Sequence, residues 1–154
     1  MINEFIIPVI SAFVATIGFA LVYNIRGKNL LIASIGGAFS WTVYLIFFKY
    51  SSSLVLPYLA SGIAVALYSE LSAYVFKAPA TVFLMPGFIP LVPGLTVFRT
   101  VESCLFGDIS AFAQGLVETI KIGGAIALGI IFMSTFFRLI RSGMALAKTS
   151  LKQR

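Results

Sequence analysis

Glu70 to Gly94 read ELSAYVFKAPATVFLMPGFIPLVPG, a stretch with one acid inside an apolar segment and three prolines in the next. Charged side chains and broken backbone are costly in hydrocarbon, so they persist mainly where they face protein or a water-filled cavity. Solutes cross membranes through cavities of this kind. The stretch therefore predicts a transport pathway inside a membrane protein.

The composition also predicts an integral membrane protein. Of the 154 residues, 60% are hydrophobic and 10% are charged, and the mean hydropathy is +1.05. This leaves too little polar surface to cover a soluble domain of that size. The chain has one cysteine, Cys104, and no histidine. The sequence therefore offers no internal disulfide and no zinc or iron-cluster site, and it indicates no cofactor.

Five apolar segments are long enough to cross a membrane, since a helical span needs about 20 mostly apolar residues. Between the fourth and the fifth, residues 99–119 mix acidic and apolar side chains, which favours a short interfacial helix. The predicted fold class is an all-α integral membrane protein with about five transmembrane helices, the fourth broken by prolines. The single predicted domain has spans at about 5–23, 30–48, 54–76, 80–98 and 120–140 and a basic tail at 141–154.

The distribution of basic residues predicts the orientation. If all five segments cross, eight basic residues lie on one side and three on the other. If the fourth only dips into the membrane and returns, the division is five against six. Cytoplasmic loops collect Lys and Arg, so five crossings are preferred, with the amino terminus outside and the carboxyl terminus in the cytoplasm. The net charge of +6 then indicates orientation and contact with anionic lipid, not nucleic-acid binding.

Small residues repeat every four positions on three of the spans. Small side chains let helix backbones approach closely, which drives helix association in lipid. We therefore predict a packing face on each of these spans. The faces comprise Ala12, Thr16 and Ala20 on the first span, Gly36 and Ser40 on the second, and Ala125 and Gly129 on the fifth.

On the third span, Glu70 continues a stripe of small residues with Gly62 and Ala66, and Tyr74 follows at the same spacing. The Glu70 side chain is therefore predicted to face protein, ~9 Å from the cytoplasmic end of the helix. Desolvation favours a neutral carboxyl and a nearby cation such as Lys77 favours its charged form, so Glu70 is a candidate for carrying a coupling proton. The alternative is a structural acid that pairs with a lysine, caps a helix or reaches water.

The fourth span is predicted to open near its middle. Pro86, Pro90 and Pro93 each remove a backbone donor. Gly87 and Gly94 relax the chain further. Transporters use such discontinuous helices to present backbone groups to a substrate, and the alternative is a kink that only shapes packing. The candidate substrate or proton pathway comprises Glu70, Lys77, Pro86, Gly87, Pro90, Pro93 and Gly94, with Ser69, Tyr74 and Arg99 as secondary candidates.

The run from Glu70 through Lys77 and Pro79 to the PGFIPLVPG stretch resembles the membrane domain of the threonine/serine exporter family, specifically its short carboxyl-terminal half. The resemblance covers essentially the whole chain. It implies one half of a ten-helix bacterial inner-membrane exporter, whose other five helices belong to a larger partner subunit. It also implies export of threonine and serine, or of dicarboxylates such as succinate in related split systems, with energy from the proton gradient.

The chain has no GxxxxGK[ST] nucleotide-binding loop, so nucleotide-driven transport is not expected. The preferred hypothesis is a secondary exporter subunit and not an enzyme. In this hypothesis the opened fourth helix binds the substrate carboxylate, and Glu70 binds the coupling proton or the substrate ammonium. The alternatives are a noncatalytic assembly or regulatory subunit and a channel-like pore. Small-residue faces would also allow a homo-oligomer.

Overall fold

The computed structural model describes residues 2–152, with side chains from 5 to 142. Within these residues the chain is helical and forms no strand, so the predicted all-α membrane fold is confirmed. Four helices are long and apolar enough to cross a membrane, and a bent pair of shorter ones would make a fifth span. The elements are α1 (Ile2–Val22), α2 (Lys28–Tyr50), α3 (Val55–Phe76), α4 (Ala80–Phe88), a 3₁₀ turn (Ile89–Leu91), α5 (Gly94–Leu105) and α6 (Ile109–Lys152).

The predicted small-residue faces are buried between the helices. Ala12, Thr16 and Ala20 of α1 are each at most 5% exposed, and Gly36 and Ser40 of α2 and Ala125 and Gly129 of α6 are buried as well. On α4, Gly87 lies against the backbone of α2, where an added Cβ would be 3.8 Å from the Gly36 carbonyl carbon. The prediction of these packing faces is therefore confirmed.

Helices α3 and α6 run in the same direction. Gly62 of α3 packs against the backbone of Ile126 in α6, and farther along both helices Glu70 reaches Arg141. The segment α4–α5 must therefore carry the chain from the end of α3 back to the level at which α3 begins. By length and composition the bent pair is one broken span or a re-entrant loop, so the predicted full crossing stays a prediction.

The fourth segment is broken at the prolines. Helix α4 and the 3₁₀ turn end at Leu91, and α5 begins at Gly94 with its axis turned by 53°. Across the break, the N–H of Val92 donates to the Ile89 carbonyl at 3.0 Å, and the N–H of Gly94 donates to the Val92 carbonyl at 2.7 Å. Tight turn bonds thus replace helical bonds where Pro90 and Pro93 have no N–H to donate.

The short helix predicted within 99–119 is divided between two longer helices. Its first residues complete α5, the chain turns at Gly107 with φ +77°, and the remainder begins α6. Asp108 caps α6 by accepting a hydrogen bond from the Ala111 N–H at 2.9 Å. No proline follows, so α6 continues for 44 residues and begins well before the predicted span at 120. The sequence signal for this turn is Gly107 followed by Asp108, because glycine often ends a helix and aspartate often caps the next one.

A hydrogen bond between α3 and α2 gives a first testable prediction. The Tyr68 hydroxyl donates to the Ile32 carbonyl at 2.8 Å. We expect Tyr68→Phe to lower the free energy of unfolding in detergent by about 0.5–1.5 kcal/mol, because the ring remains but the hydrogen bond is lost. Tyr74→Phe is the control, since Tyr74 is 78% exposed. Equal effects of the two substitutions on thermal unfolding would contradict the prediction.

Candidate functional site

Glu70 faces α6, on the side that its small-residue stripe predicted. Its side chain is 14% exposed, and its Oε2 lies 3.3 Å from Nη2 of Arg141. Gly62 and Ala66, at earlier positions of the stripe, are buried. Tyr74, at the next position, is 78% exposed. The packed part of the stripe therefore ends at Glu70, close to the end of α3.

Among the residues whose side chains are described, Arg141 and not Lys77 is the cation within ion-pair distance of Glu70. Lys77 ends α3 in the left-handed conformation, with φ 52°, and its side chain is exposed. A left-handed residue turns the chain away from the helix direction. The prediction that Lys77 lies near Glu70 assumed that α3 continues past Phe76, whereas the helix ends there.

A cavity of about 430 Å³ adjoins the ion pair between α3 and α6. Its lining provides two guanidinium groups, one carboxylate and two hydroxyls. Guanidinium groups bind carboxylates through paired hydrogen bonds, and a carboxylate can bind an ammonium group or a proton. The cavity therefore has the chemistry to hold a small zwitterion or a small dianion. The lining residues are Glu70, Ser134, Arg138, Arg141 and Ser142.

Four of these lining residues were missed by sequence reasoning. Ser134, Arg138 and Ser142 follow one another at steps of four, and Arg141 stands three positions after Arg138, so a helix brings them toward one face. That spacing was an available signal. The two arginines were interpreted only as orientation charges near the tail, because nothing local shows that this face of α6 meets Glu70.

The broken segment packs on another side of α3. Gly87 lies close to Val65, whose Cγ2 would be 3.0 Å from an added Cβ. The Ser40 hydroxyl of α2 donates to the Gly87 carbonyl at 3.1 Å, and Pro86 is buried beside it. Partner helices thus satisfy the backbone next to the break, which is one of the two arrangements tolerated at membrane depth.

Beside the break lies an apolar cavity of about 320 Å³. Pro90 lines it from the 3₁₀ turn, and Trp41 lines it from α2. The indole N–H of Trp41 is buried and finds no hydrogen-bond partner within the described part of the chain. This cavity and the one at Glu70 have no lining residue in common, so the structure does not bring Glu70 and the prolines to one site.

The remaining predicted residues are dispersed. Ser69 is 1% exposed and donates to the Val65 carbonyl at 2.7 Å, so it bonds to its own helix. Pro93 is half-buried, and Gly94 is exposed with no atom within 4 Å of an added Cβ. Arg99 lines a third, polar cavity between α5 and α6.

Comparison with known proteins decides the family. The family model described as Threonine/Serine exporter, ThrE, matches residues 8–136. The chain belongs to the threonine/serine exporter family. No curated protein and no solved structure matches it. The resemblance to this family that the stretch from Glu70 to Gly94 indicated is therefore confirmed, and its assignment to the short carboxyl-terminal half stays a prediction.

Family membership makes the chain an exporter-type, multi-pass membrane protein. The matched residues include Glu70, the whole broken segment and most of the apolar part of α6. They end before Arg138 and Arg141. The two arginines of the Glu70 cavity are thus identified by the structure and not by the family match.

Proposed function

We propose that the chain is a subunit of a proton-coupled secondary exporter of small amino acids such as threonine and serine. The observation that supports this is the Glu70–Arg141 pair beside a cavity that Arg138 and two serines also line. A zwitterionic amino acid would bind with its carboxylate on a guanidinium group and its ammonium at Glu70. A small dicarboxylate such as succinate is the alternative solute and would engage both arginines.

The ion pair suggests how solute and proton are coupled. Glu70 lies 3.3 Å from Arg141 and neutralises its charge. A substrate carboxylate that binds Arg141 competes with Glu70, which is then free to take up a proton or the substrate ammonium. Glu70 therefore changes its charge partner in step with substrate binding, which is what coupling requires.

We place the Glu70 cavity at the cytoplasmic end of the bundle, in the bacterial inner membrane. The orientation with most basic residues in the cytoplasm puts the end of α3 and the following Lys77 on that side. The α4–α5 segment then crosses to the outer side. An exporter takes up its solute from the cytoplasm, so this end is where loading would occur.

The pathway is proposed to be shared with a larger membrane subunit that carries the other five helices. A supporting feature is the face of α6 with Gly123 and Gly124, which are exposed and have no atom within 4 Å of an added Cβ. Glycines on a helix surface let another helix approach closely. A second copy of this chain is the alternative occupant of that face.

Proton-driven efflux from vesicles that contain both subunits tests the proposal. L-Threonine, L-serine and succinate are supplied inside, and each subunit alone serves as the control. Efflux of the amino acids only when both subunits are present supports a shared pathway. Efflux of succinate alone would overturn the amino-acid assignment, and full efflux by the partner alone would reduce this chain to a regulatory subunit.

Pro90→Ala tests whether the break contributes to transport. We expect a partial loss of efflux, about fivefold or less and equivalent to ~1 kcal/mol, because one N–H donor returns while Pro86 and Pro93 still interrupt the helix. Pro8→Ala is the control, since Pro8 lines the same cavity from within α1 and lies outside the break. Unchanged substrate affinity and rate for Pro90→Ala would show that the break is only structural.

A further inference from the structure

A polar cavity of about 270 Å³ lies between α5 and α6. It is far from the Glu70 site, because Glu118 in its lining and Arg141 at the other site are separated by about 35 Å along α6. It therefore occupies the opposite end of the bundle. Its lining residues are Leu95, Thr96, Arg99, Thr100, Ser103, Ala111, Gln114, Gly115 and Glu118.

The two helices that form this cavity are closely packed. Gly115 of α6 lies against the side chain of Thr100, whose Cβ would be 3.0 Å from a Cβ added to the glycine. Thr100 is 5% exposed and donates to the Thr96 carbonyl at 2.7 Å. The Asp108 cap fixes the turn that joins the helices. The cavity is thus an open groove on a tightly packed helical hairpin, where Arg99, Gln114 and Glu118 are exposed.

Two opposite charges face this cavity from different helices. Arg99 projects from α5 and Glu118 from α6. Among the side chains described, from 5 to 142, neither forms an ion pair with the other or with a third residue. The situation at Glu70 differs, because there the acid already has an arginine partner.

We propose that this cavity is a second binding site for a zwitterionic α-amino acid with a small polar side chain. The substrate carboxylate binds the Arg99 guanidinium, and the substrate ammonium binds Glu118. The amide of Gln114 lies in the same lining and complements a polar side chain. A dicarboxylate is disfavoured, because its second carboxylate would face Glu118. The inference rests on the proposed export of amino acids and adds a site at the exit end.

Thiol protection in the purified complex tests this site. The chain has one cysteine, Cys104, so Cys104→Ser gives a thiol-free subunit into which Ser103→Cys places a reporter in the cavity lining. We expect L-threonine to slow maleimide labelling of the reporter several-fold. L-Threonine methyl ester, which lacks the carboxylate, and 3-hydroxybutyrate, which lacks the ammonium, should not protect.

Charge variants identify the groups responsible. Arg99→Gln and Glu118→Gln should each abolish protection, and Arg99→Lys and Glu118→Asp should restore part of it, which shows that the site still folds. Glu102→Gln is the matched control, because Glu102 is exposed on α5 and does not line the cavity. Protection that survives both Gln variants, or that succinate provides as well as L-threonine, would overturn the proposed site.

Failure of this inference can be told apart from failure of the proposed function. Amino-acid efflux by the complex without protection at Ser103→Cys would overturn the second site and leave the proposed function intact. Protection that depends on Arg99 and Glu118 supports the second site, and a simultaneous lack of amino-acid efflux would overturn only the proposed function.

Discussion

Glu70→Gln is expected to reduce proton-driven efflux of L-threonine strongly while exchange of L-threonine across the membrane persists. Glutamine keeps the size and much of the hydrogen-bonding capacity of glutamate, but it cannot carry a proton in the cycle. We expect proton-driven efflux to fall by about tenfold or more, since a factor of ten corresponds to only ~1.4 kcal/mol. Exchange persists because Arg138 and Arg141 still bind the substrate carboxylate.

A purely structural role for Glu70 predicts a different and smaller effect. Arg141 is 50% exposed, and ion pairs with an exposed partner stabilise a fold by about 0–1 kcal/mol. Loss of the pair would therefore lower the melting temperature slightly and reduce exchange and proton-driven efflux together. The double variant Glu70→Arg with Arg141→Glu would rebuild the pair and restore both activities if the role were structural.

Reconstituted vesicles with an imposed pH difference provide the measurement. Efflux driven by the pH difference and exchange at equal pH are compared at matched amounts of protein. Glu102→Gln removes an exposed acid from α5 and should change neither rate. Proton-driven efflux at the wild-type rate in Glu70→Gln would rule out a proton-carrying role.

Local spacing was enough to predict the faces of the helices and the position of the break. Gly62, Ala66 and Glu70 are spaced by four residues, so helical periodicity places them on one face of α3. That face packs against a neighbouring helix. Pro90 and Pro93 interrupt the fourth segment because each lacks an N–H, whatever surrounds it. Both features follow from residues close together in the sequence, so they could be predicted without the tertiary structure.

Contacts between distant segments could not be predicted in this way. Arg141 reaches Glu70 only because α3 and α6 lie side by side in the same direction. Ser40 reaches the Gly87 carbonyl across two different helices. The site prediction grouped Glu70 with the prolines because they are close in sequence. In the structure Glu70 faces α6, whereas the prolines that follow it pack elsewhere.

Gly129→Ala is expected to destabilise the protein by separating α3 from α6. A Cβ at this position would lie 2.7 Å from the Leu59 carbonyl oxygen and 2.9 Å from the Ile63 nitrogen. Both atoms belong to the backbone, so no side-chain rotation relieves the clash. Overpacking of this kind costs about 1–3 kcal/mol, which exceeds the gain of about 1 kcal/mol from replacing glycine by alanine in a helix.

Whether each Gly→Ala substitution raises or lowers stability shows whether Gly129 is needed for close packing or α6 needs to be flexible. Gly123→Ala and Gly124→Ala are matched controls on the same helix, and no atom lies within 4 Å of their added Cβ. Thermal unfolding in detergent should show both controls neutral or stabilised by up to about 1 kcal/mol, and Gly129→Ala destabilised. Destabilisation by all three would mean that α6 requires flexibility. Because the α3–α6 contact also holds Glu70 against Arg141, Gly129→Ala should lower efflux as well.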